Sequence, residues 1–397
     1  MHEKTEASNV IDSMAATIIE ISDTLHDHPE LGSQEYKSVD LLTSELSRHG
    51  FEVERGLAGM NTAFKATFRG GEGGPTIALL PEYDALPELG HACGHNIIAA
   101  GCTGAAVALS KVLPKLNGTV LLIGAPDEEG TGEYTDGKVR LIKAGLFDEV
   151  DAALSIHPSS HNSVGERSLA MYDFAILFTG KAAHAAVAPH EGINALDAVV
   201  LTFNGISALR QHLKTDARIH GVVTEGGFAP NIIPDHASTR FYVRSEEQVY
   251  LKEIVRRVKD CARGAALATG AKVDFAEKGI YVDEGFLENM IPNHILDEAL
   301  KQNMIALGLE MKAPGPPAGS TDVGNVSHRV PSAVAHIAIG PEELAPHTRE
   351  FAAAAGSDAG HKGLIVSAKV LAMTAIDLLT DQELMQKAKK EFSEARH

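Results

Sequence analysis

The chain is 397 residues long with 44% hydrophobic and 22% charged residues, which is ordinary for a globular protein with a sizeable core and more than one domain. Its formal net charge of −18 repels nucleic acid and anionic membrane surfaces and argues against both as partners. It reads as having no apolar run of the ~18 residues a membrane span needs, no secretory leader in "MHEKTEASNV", and three cysteines without framework spacing, all of which point to a reducing cytoplasm.

Taken in chain order, Val10, Ile11, Met14, Ile18, Ile21 and Leu25 recur at helical spacing, and Pro29 and Gly32 of "HPELG" stop that helix. A second helix over about 38–48 ends at Gly50. The strand-like runs "FEVE", "TAFKATF" and "TIALL" follow, then a small-residue helix over about 97–113. Next come "GTVLLIGAP", a helix over about 138–144, and "DAALSI". Buried apolar strands alternating with helices predict an α/β fold with a largely parallel sheet.

The texture changes at the polar linker "SSHNSVGERS". "LAMYDFAILFTG" reads as a strand, 194–211 as a helix, "ARIHGVVTEGG" and "HASTRFYVR" as strands, 249–268 as a helix and "AKVDFAEKG" as a strand. That βαββαβ order is the split ferredoxin-like unit, an α+β domain in its own right. The α/β texture then resumes with a helix over about 293–307, the run "PSAVAHIAIG" and an Ala-rich helix ending near Leu379. The order predicts a catalytic domain in two parts, 1–164 and 283–397, interrupted by an inserted domain over 165–282.

Ligands of open α/β sheets bind at the carboxyl ends of the strands. Here "TIALL" runs into "PEYDALPELGHACGHN", "GTVLLIGAP" into Asp127, Glu128 and Glu129, and "DAALSI" into His157. "AVAHIAIG" is followed by His347. A thiolate, imidazoles and carboxylates in one place suit zinc and related borderline metals. Of two adjacent glutamates, one can ligate while the other stays free as a base for water. A thiol nucleophile at Cys93, served by His91 or His95, is the rival chemistry, but it leaves Glu128, Glu129 and His157 without a task. A binding protein without turnover has no use for a free acid beside a ligand.

Several motifs appear together and in order: "LHDHPELGSQEY", "EYDALPELGHACGHN", "PDEEG", "FDEVDAALSIHP", "GKAAHAAVAPHEGINALDA", "GGFAPNIIPDHA", "GSTDVGNVSH" and "PHTREF". In these the chain resembles the amidohydrolase branch of metallopeptidase family 20, which includes aminoacylases, hippurate, indole-acetyl-amino-acid and p-aminobenzoyl-glutamate hydrolases. "EYDALPELGHACGHNIIAA" is most similar to the dipeptidase-like members acting on β-alanyl-lysine. The resemblance implies a metal-dependent exopeptidase-like catalytic domain, with the inserted ferredoxin-like domain as lid and homodimerisation surface. It implies amide hydrolysis of N-acyl amino acids or dipeptides at two divalent metal ions per subunit, zinc foremost, with manganese, cobalt or nickel as alternatives. Cys93 would bridge the metals, with His95 and Glu129 on one side, His157 on the other, and His347 completing the set. His328, His336 and His361 are the other histidines near that last position. Glu128 would be the general base. His184 would stabilise the oxyanion, reaching the partner subunit's site, and Asn231 and Arg244 would hold a substrate carboxylate. His91 has no ligand role in the pattern.

Overall fold

The computed structural model describes residues 2–165, 167–277 and 286–395. The chain divides into two compact units: Met1–Arg167 with Met290–Pro316 and Thr321–His397, and Ser168–Asn289 with Pro317–Ser320. The sequence placed the first boundary at 164/165. Its second boundary, 282/283, lies outside the described residues, as do Glu166 of the expected linker and the end of "AKVDFAEKG".

The first unit opens with helices α1 (His2–Ser13) and α2 (Ala15–Asp27). The sequence reads this stretch as one helix, but the chain breaks at Met14, whose φ of −101° and ψ of 5° are not helical. Both pieces still bury the predicted stripe, Ile11 in the first and Ile18, Ile21 and Leu25 in the second. Helix α3 (Tyr36–Arg48) leads into strands β1 (Glu52–Arg55), β2 (Phe64–Arg69) and β3 (Gly71–Leu79). Helix α4 (His95–Val112), strand β4 (Asn117–Gly124), helix α5 (Gly137–Lys143) and strands β5 (Ala152–Ser159) and β6 (Ser163–Val164) follow.

In the second unit the order is β7 (Ala170–Thr179), α6 (Ala195–Arg210), β8 (Arg218–Glu225), β9 (His236–Ser245), α7 (Gln248–Thr269), β10 (Lys272–Glu277) and the short β11 (Phe286–Leu287). Its sheet runs β10-β7-β9-β8, antiparallel throughout, with β11 also against β7. Alternate residues of β7 (Tyr172, Phe174, Ile176, Phe178) and of β9 (Phe241, Val243) face one way. They pack with Val199 and Ile206 of α6 and Ile254 and Val258 of α7 into a core of the unit's own.

The chain returns to the first unit as α8 (His294–Ala306), α9 (Val323–Ser327), β12 (Ser332–Ala338), α10 (Arg349–Ala355), α11 (Asp358–Thr380) and α12 (Gln382–Ala395). The last helix was not anticipated; its polar sequence buries only Met385 and Ala388. Among the described residues the first unit forms one seven-stranded sheet, β1-β2-β4-β3-β5-β12-β6. Its centre, β4-β3-β5-β12, is parallel, and antiparallel strands close both edges.

Helix α4 is buried along nearly its whole length. Small residues make that possible: a Cβ on Gly104 would meet Ile18 of α2 at 2.7 Å, and one on Gly101 would touch Ser367 of α11 at 3.5 Å. The expectation of no membrane-length apolar segment needs correcting. The stretch His95–Lys115, and α11, are each long and apolar enough to cross a bilayer, yet 89% and 72% of their apolar windows are buried inside the protein. They are apolar because they are core helices, buried over most of their apolar length.

One buried carboxylate in α8 makes stability depend on pH. Burial pushes Asp297 from 3.8 up to about 7. Between those values the folded chain holds a proton that the unfolded chain has released, so stability falls as pH rises through this window and stays reduced above it. Asp297→Asn should therefore raise the melting temperature at about pH 8 and leave it nearly unchanged at about pH 4, as calorimetry at the two pH values would show.

Candidate metal centre

The residues singled out in the sequence gather at the carboxyl ends of β3, β4, β5 and β12, the parallel centre of the first unit's sheet. Each arrives by a different local device. The chain after β3 turns at Cys93-Gly94, and Gly94 adopts φ +77° as it caps α4. A Cβ there would lie 2.7 Å from Pro158 Cγ, so only glycine fits both the angle and the space. The turn sets Cys93 beside β5 and places His95 at the first position of α4.

His95 Nδ1 lies 2.9 Å from Asp84 Oδ1 and 3.0 Å from the Asp84 carbonyl. A proton on Nδ1 leaves the Nε2 lone pair for an electrophile. His157, on β5, points its Nδ1 at the Pro158 carbonyl 2.7 Å away, which frees its own Nε2 in the same way. That Nε2 stands 3.4 Å from Cys93 Sγ.

The turn after β4 is built around Asp127, which is fully buried with φ +60°. Its carboxylate accepts from the Ser33 hydroxyl at 2.8 Å and from the Gly132 and Thr135 amides at 2.9 and 2.7 Å. Its own N–H donates to Glu35 at 2.9 Å. Asp127 thus shapes the turn rather than joining the donors, and the two residues after it, Glu128 and Glu129, face the site. The Glu129 N–H donates to Asp84 Oδ2 at 3.0 Å, so Asp84 orients His95 with one oxygen and holds the Glu129 backbone with the other. His347 sits on the loop after β12 with φ +61°, and its N–H bonds the Ala92 carbonyl at 2.9 Å, tying that loop to the Cys93 turn.

Two donor groups result, each with its ligand atoms within 4.8 Å of one another: Cys93, His95 and His157, and Cys93, Glu129 and His347. The thiol belongs to both. His347 Nε2 lies 3.5 Å from Glu129 Oε1. The resemblance placed His95 with Glu129, and those atoms are 3.9 Å apart, but the groupings pair His95 with His157 and Glu129 with His347. Two donors ~2.1 Å from one tetrahedral ion stand roughly 3.4 Å apart, so these separations suit shared ions. Two buried atoms left without hydrogen-bond partners, His95 Nε2 and Glu129 Oε1, lie in these groups. The donor set therefore fits borderline divalent metals.

The other histidines considered for the last position, His328 at the end of α9 among them, belong to neither donor group. His361 pairs with Asp23 at 2.7 Å. His336 is the parallel neighbour of His157 across β5 and β12, where burial and then the His157 charge push it down to about 3, and it joins neither donor group. His91 is buried and pushed down to about 3, a neutral core histidine.

Electrostatics around the donors is uneven. Burial pushes the Cys93 thiol up, the reverse of what a free thiol nucleophile needs; a bound cation is what would deprotonate it. Burial disfavours the His95 imidazolium, yet Asp84 and Cys93 outweigh it and raise His95 well above the usual histidine range. Burial, then the charges of Glu82, Glu129 and Asp322, raise Glu128 well above the usual carboxylate range.

Four residues of the site escaped the sequence reading: Glu82, Asp84, Lys138 and Asp322. Glu82 and Asp84 were inside the quoted strand-end run, and nothing in their spacing distinguishes them from solvated acids. Lys138 is fully buried on α5, 2.7 Å from Glu82 and 2.5 Å from Asp322. Only the sheet and α5 together reveal that pairing.

The remaining expected residues lie in the second unit. His184 and Asn231 are neighbours there: His184 bridges Ile232, and the Ala185 N–H bonds the Asn231 carbonyl at 3.0 Å. Arg244 is on β9 with its guanidinium 5.9 Å from the centre of the Tyr242 ring.

The profile of peptidase family M20/M25/M40 matches residues 80–372. The chain belongs to this family. It is 38% identical to a Xaa-Arg dipeptidase of Mus musculus over 98% of this chain and 92% of that protein. It is 31% identical to a subunit of the p-aminobenzoyl-glutamate hydrolase of Escherichia coli over 94% and 92%. Among solved structures, an aminobenzoyl-glutamate utilization protein from Klebsiella pneumoniae superposes with a TM-score of 0.74 at 22% identity, covering 93% of this chain and 97% of that one. A dinuclear metal-binding M20 peptidase from Bacillus subtilis gives 0.69 at 23%, covering 93% and 99%. As a member of this family the chain is a metal-dependent hydrolase of amide bonds.

The double role of Asp84 yields a prediction. Asp84→Asn should weaken zinc binding roughly 10–100-fold while leaving far-ultraviolet dichroism unchanged, as measured by competition with a chromophoric chelator.

Proposed function

We propose that the chain hydrolyses small dipeptides or N-acyl amino acids at a two-ion centre joined through Cys93. The observation that carries this reading is one thiol common to two donor groups, with an extra acid, Glu128, 3.9 Å from His95 Nε2. Cys93, His95 and His157 would hold one ion, and Cys93, Glu129 and His347 the other. Zinc is the foremost candidate, and manganese, cobalt and nickel suit the same mixed donors. Bound ions supply Lewis acidity to the scissile carbonyl and acidity to water.

The chain's own groups do the rest. Glu128 takes the proton of the attacking water and returns it to the leaving amine. Its raised pKa makes its carboxylate a stronger base than a free glutamate. His184 Nδ1 accepts a hydrogen bond from the Ala186 N–H at 3.2 Å, which places the ring proton on Nε2. That is the tautomer a donor to a developing oxyanion needs. Asn231 and Arg244 offer an amide and a guanidinium to a substrate carboxylate. All three cysteines are free thiols, in keeping with a reducing, cytoplasmic setting that preserves Cys93 as a ligand.

We assign the second unit as the inserted ferredoxin-like lid and homodimerisation domain. Its element order and its strand sequence β10-β7-β9-β8 support the first assignment. The second is supported by β8, an edge strand that exposes Val222 and Val223, and by the exposed Val200 and Leu201 of α6. An apolar edge of this kind pairs readily with its copy across a two-fold axis.

The Xaa-Arg dipeptidase, 38% identical over nearly the whole length, favours a dipeptide with a basic C-terminal residue. The p-aminobenzoyl-glutamate hydrolase, at 31%, favours the second reading, an aryl amide of an acidic amino acid. The loop "GEYTDGK" supplies little for a basic leaving group: Asp136 is buried at the start of α5, leaving Glu133 exposed.

Three outcomes test these assignments. Glu128→Gln should keep its bound ions by elemental analysis and lose ~10²–10⁴-fold in kcat; near-normal turnover would remove Glu128 from its role. In a panel assayed with each metal restored after chelation, β-alanyl-lysine and Xaa-Arg dipeptides should exceed p-aminobenzoyl-glutamate in kcat/KM by at least ~10-fold; the opposite order favours the second reading. Val200→Lys with Val222→Lys should sediment as a monomer where the unchanged chain sediments as a dimer.

A further inference from the structure

Glu82 lies just beyond β3, nearly fully buried, and its two carboxylate oxygens face different partners. Oε1 is 2.7 Å from the Lys138 ammonium. Oε2 is turned to the other side, 3.6 Å from His95 Nε2. That imidazole nitrogen is itself buried and without a hydrogen-bond partner. Glu82, His95 and Glu128 form a third group of donors within 4.8 Å of one another, and His95 is common to this group and to the Cys93–His95–His157 group. Glu82 also acts electrostatically on His157, the remaining imidazole of that set.

Two explanations compete for a buried glutamate at this point. One is a plain ion pair with Lys138. That pair uses Oε1, and the Lys138 ammonium has a second anion in Asp322, whose other oxygen accepts from the Lys138 backbone N–H at 2.9 Å. The pair does not require Oε2 to face a bare imidazole nitrogen. The second explanation covers both oxygens: the ammonium grips one and leaves the other aimed where an ion held by His95 would sit. A separation of 3.6 Å is close to the roughly 3.4 Å between two donors of one tetrahedral ion. Carboxylates that ligate metals are themselves held by further hydrogen bonds, and Lys138 with Asp322 is such a holder.

We propose that Glu82 is an additional ligand, through Oε2, to the ion held by Cys93, His95 and His157, and that Lys138 and Asp322 are positioning residues that fix its carboxylate. This rests on the two-ion reading of the site. The ion on the His95 side then has four protein donors, two imidazoles, a thiolate and a carboxylate, against three on the Glu129 side. The two positions carry the same formal charge, a shared thiolate and one carboxylate each, and differ in donor number, so the one with four donors binds its ion more tightly.

The direct test is diffraction from crystals of the unaltered full chain loaded with zinc chloride, the ions located by anomalous scattering. The expected result is an ion on Cys93, His95 and His157 with Glu82 Oε2 about 2.0–2.2 Å away. An ion on those three residues with Glu82 Oε2 more than about 3 Å distant, beyond any zinc–oxygen bond, overturns this inference and leaves the proposed function standing. Zinc absent from the Cys93 groups overturns the functional reading with it. In solution, Glu82→Gln keeps an oxygen for Lys138 while losing the anionic donor. With cobalt in place of zinc, it should shift the visible d–d bands and weaken the tighter of two binding steps by at least ~10-fold. An unchanged spectrum and unchanged affinity count against Glu82 as a ligand.

Discussion

Concentrated negative charge in a desolvated place is the constraint on which this site depends. Glu82, Asp84, Glu128, Glu129, Asp322 and the Cys93 thiol lie together in buried or half-buried positions at one end of a parallel sheet. An ionised carboxylate taken out of water costs several kcal/mol unless paired. The structure satisfies part of this demand with its own groups. His95 faces Asp84, Lys138 faces Glu82 and Asp322, and Glu128 is pushed toward its neutral form. Glu129 and Cys93 remain, one with an oxygen lacking a partner and the other raised far from its thiolate form. Bound metal ions would complete the balance, and the family to which the chain belongs is metal-dependent.

Backbone conformation serves that end. Three turns that bring donors to the sheet edge use left-handed angles: Gly94 before His95, Asp127 before Glu128, and His347 itself. Such conformations cost of order 1–3 kcal/mol each for non-glycine residues and persist where surrounding contacts over-determine them. Asp127 is held by three hydrogen bonds to its carboxylate, and His347 by the Ala92 carbonyl. The strain sits at the residues that present ligands. The second unit keeps its own core and antiparallel sheet, so its fold does not depend on this arrangement.

The two chemistries considered for Cys93 separate on physical grounds. A nucleophilic cysteine needs a lowered pKa from a cation or a helix N-terminus, and this one is raised by burial. A metal-ligating thiol needs further donors converging from different elements, and that is what His95 on α4, His157 on β5, Glu129 after β4 and His347 after β12 provide.

Much of this was written in the sequence. The alternation of apolar runs and helical stripes marked the α/β unit and its interruption, because burial patterns have a period that survives in one dimension. Motif order pointed to Cys93, His95, Glu129, His157 and His347, side chains that the fold brings within reach of one another. The break at Met14 and the polar helix α12 were not legible, since neither changes the apolar period. Nor were Glu82, Asp84, Lys138 and Asp322, because a buried acid and a solvated one are the same letter. How the donors divide about Cys93, which histidines stay outside, and which lysine neutralises which acid are three-dimensional facts. They depend on distances of a few ångströms between residues as far apart in the chain as Cys93 and His347, and only the packing of α5 and the loops against the sheet sets those distances.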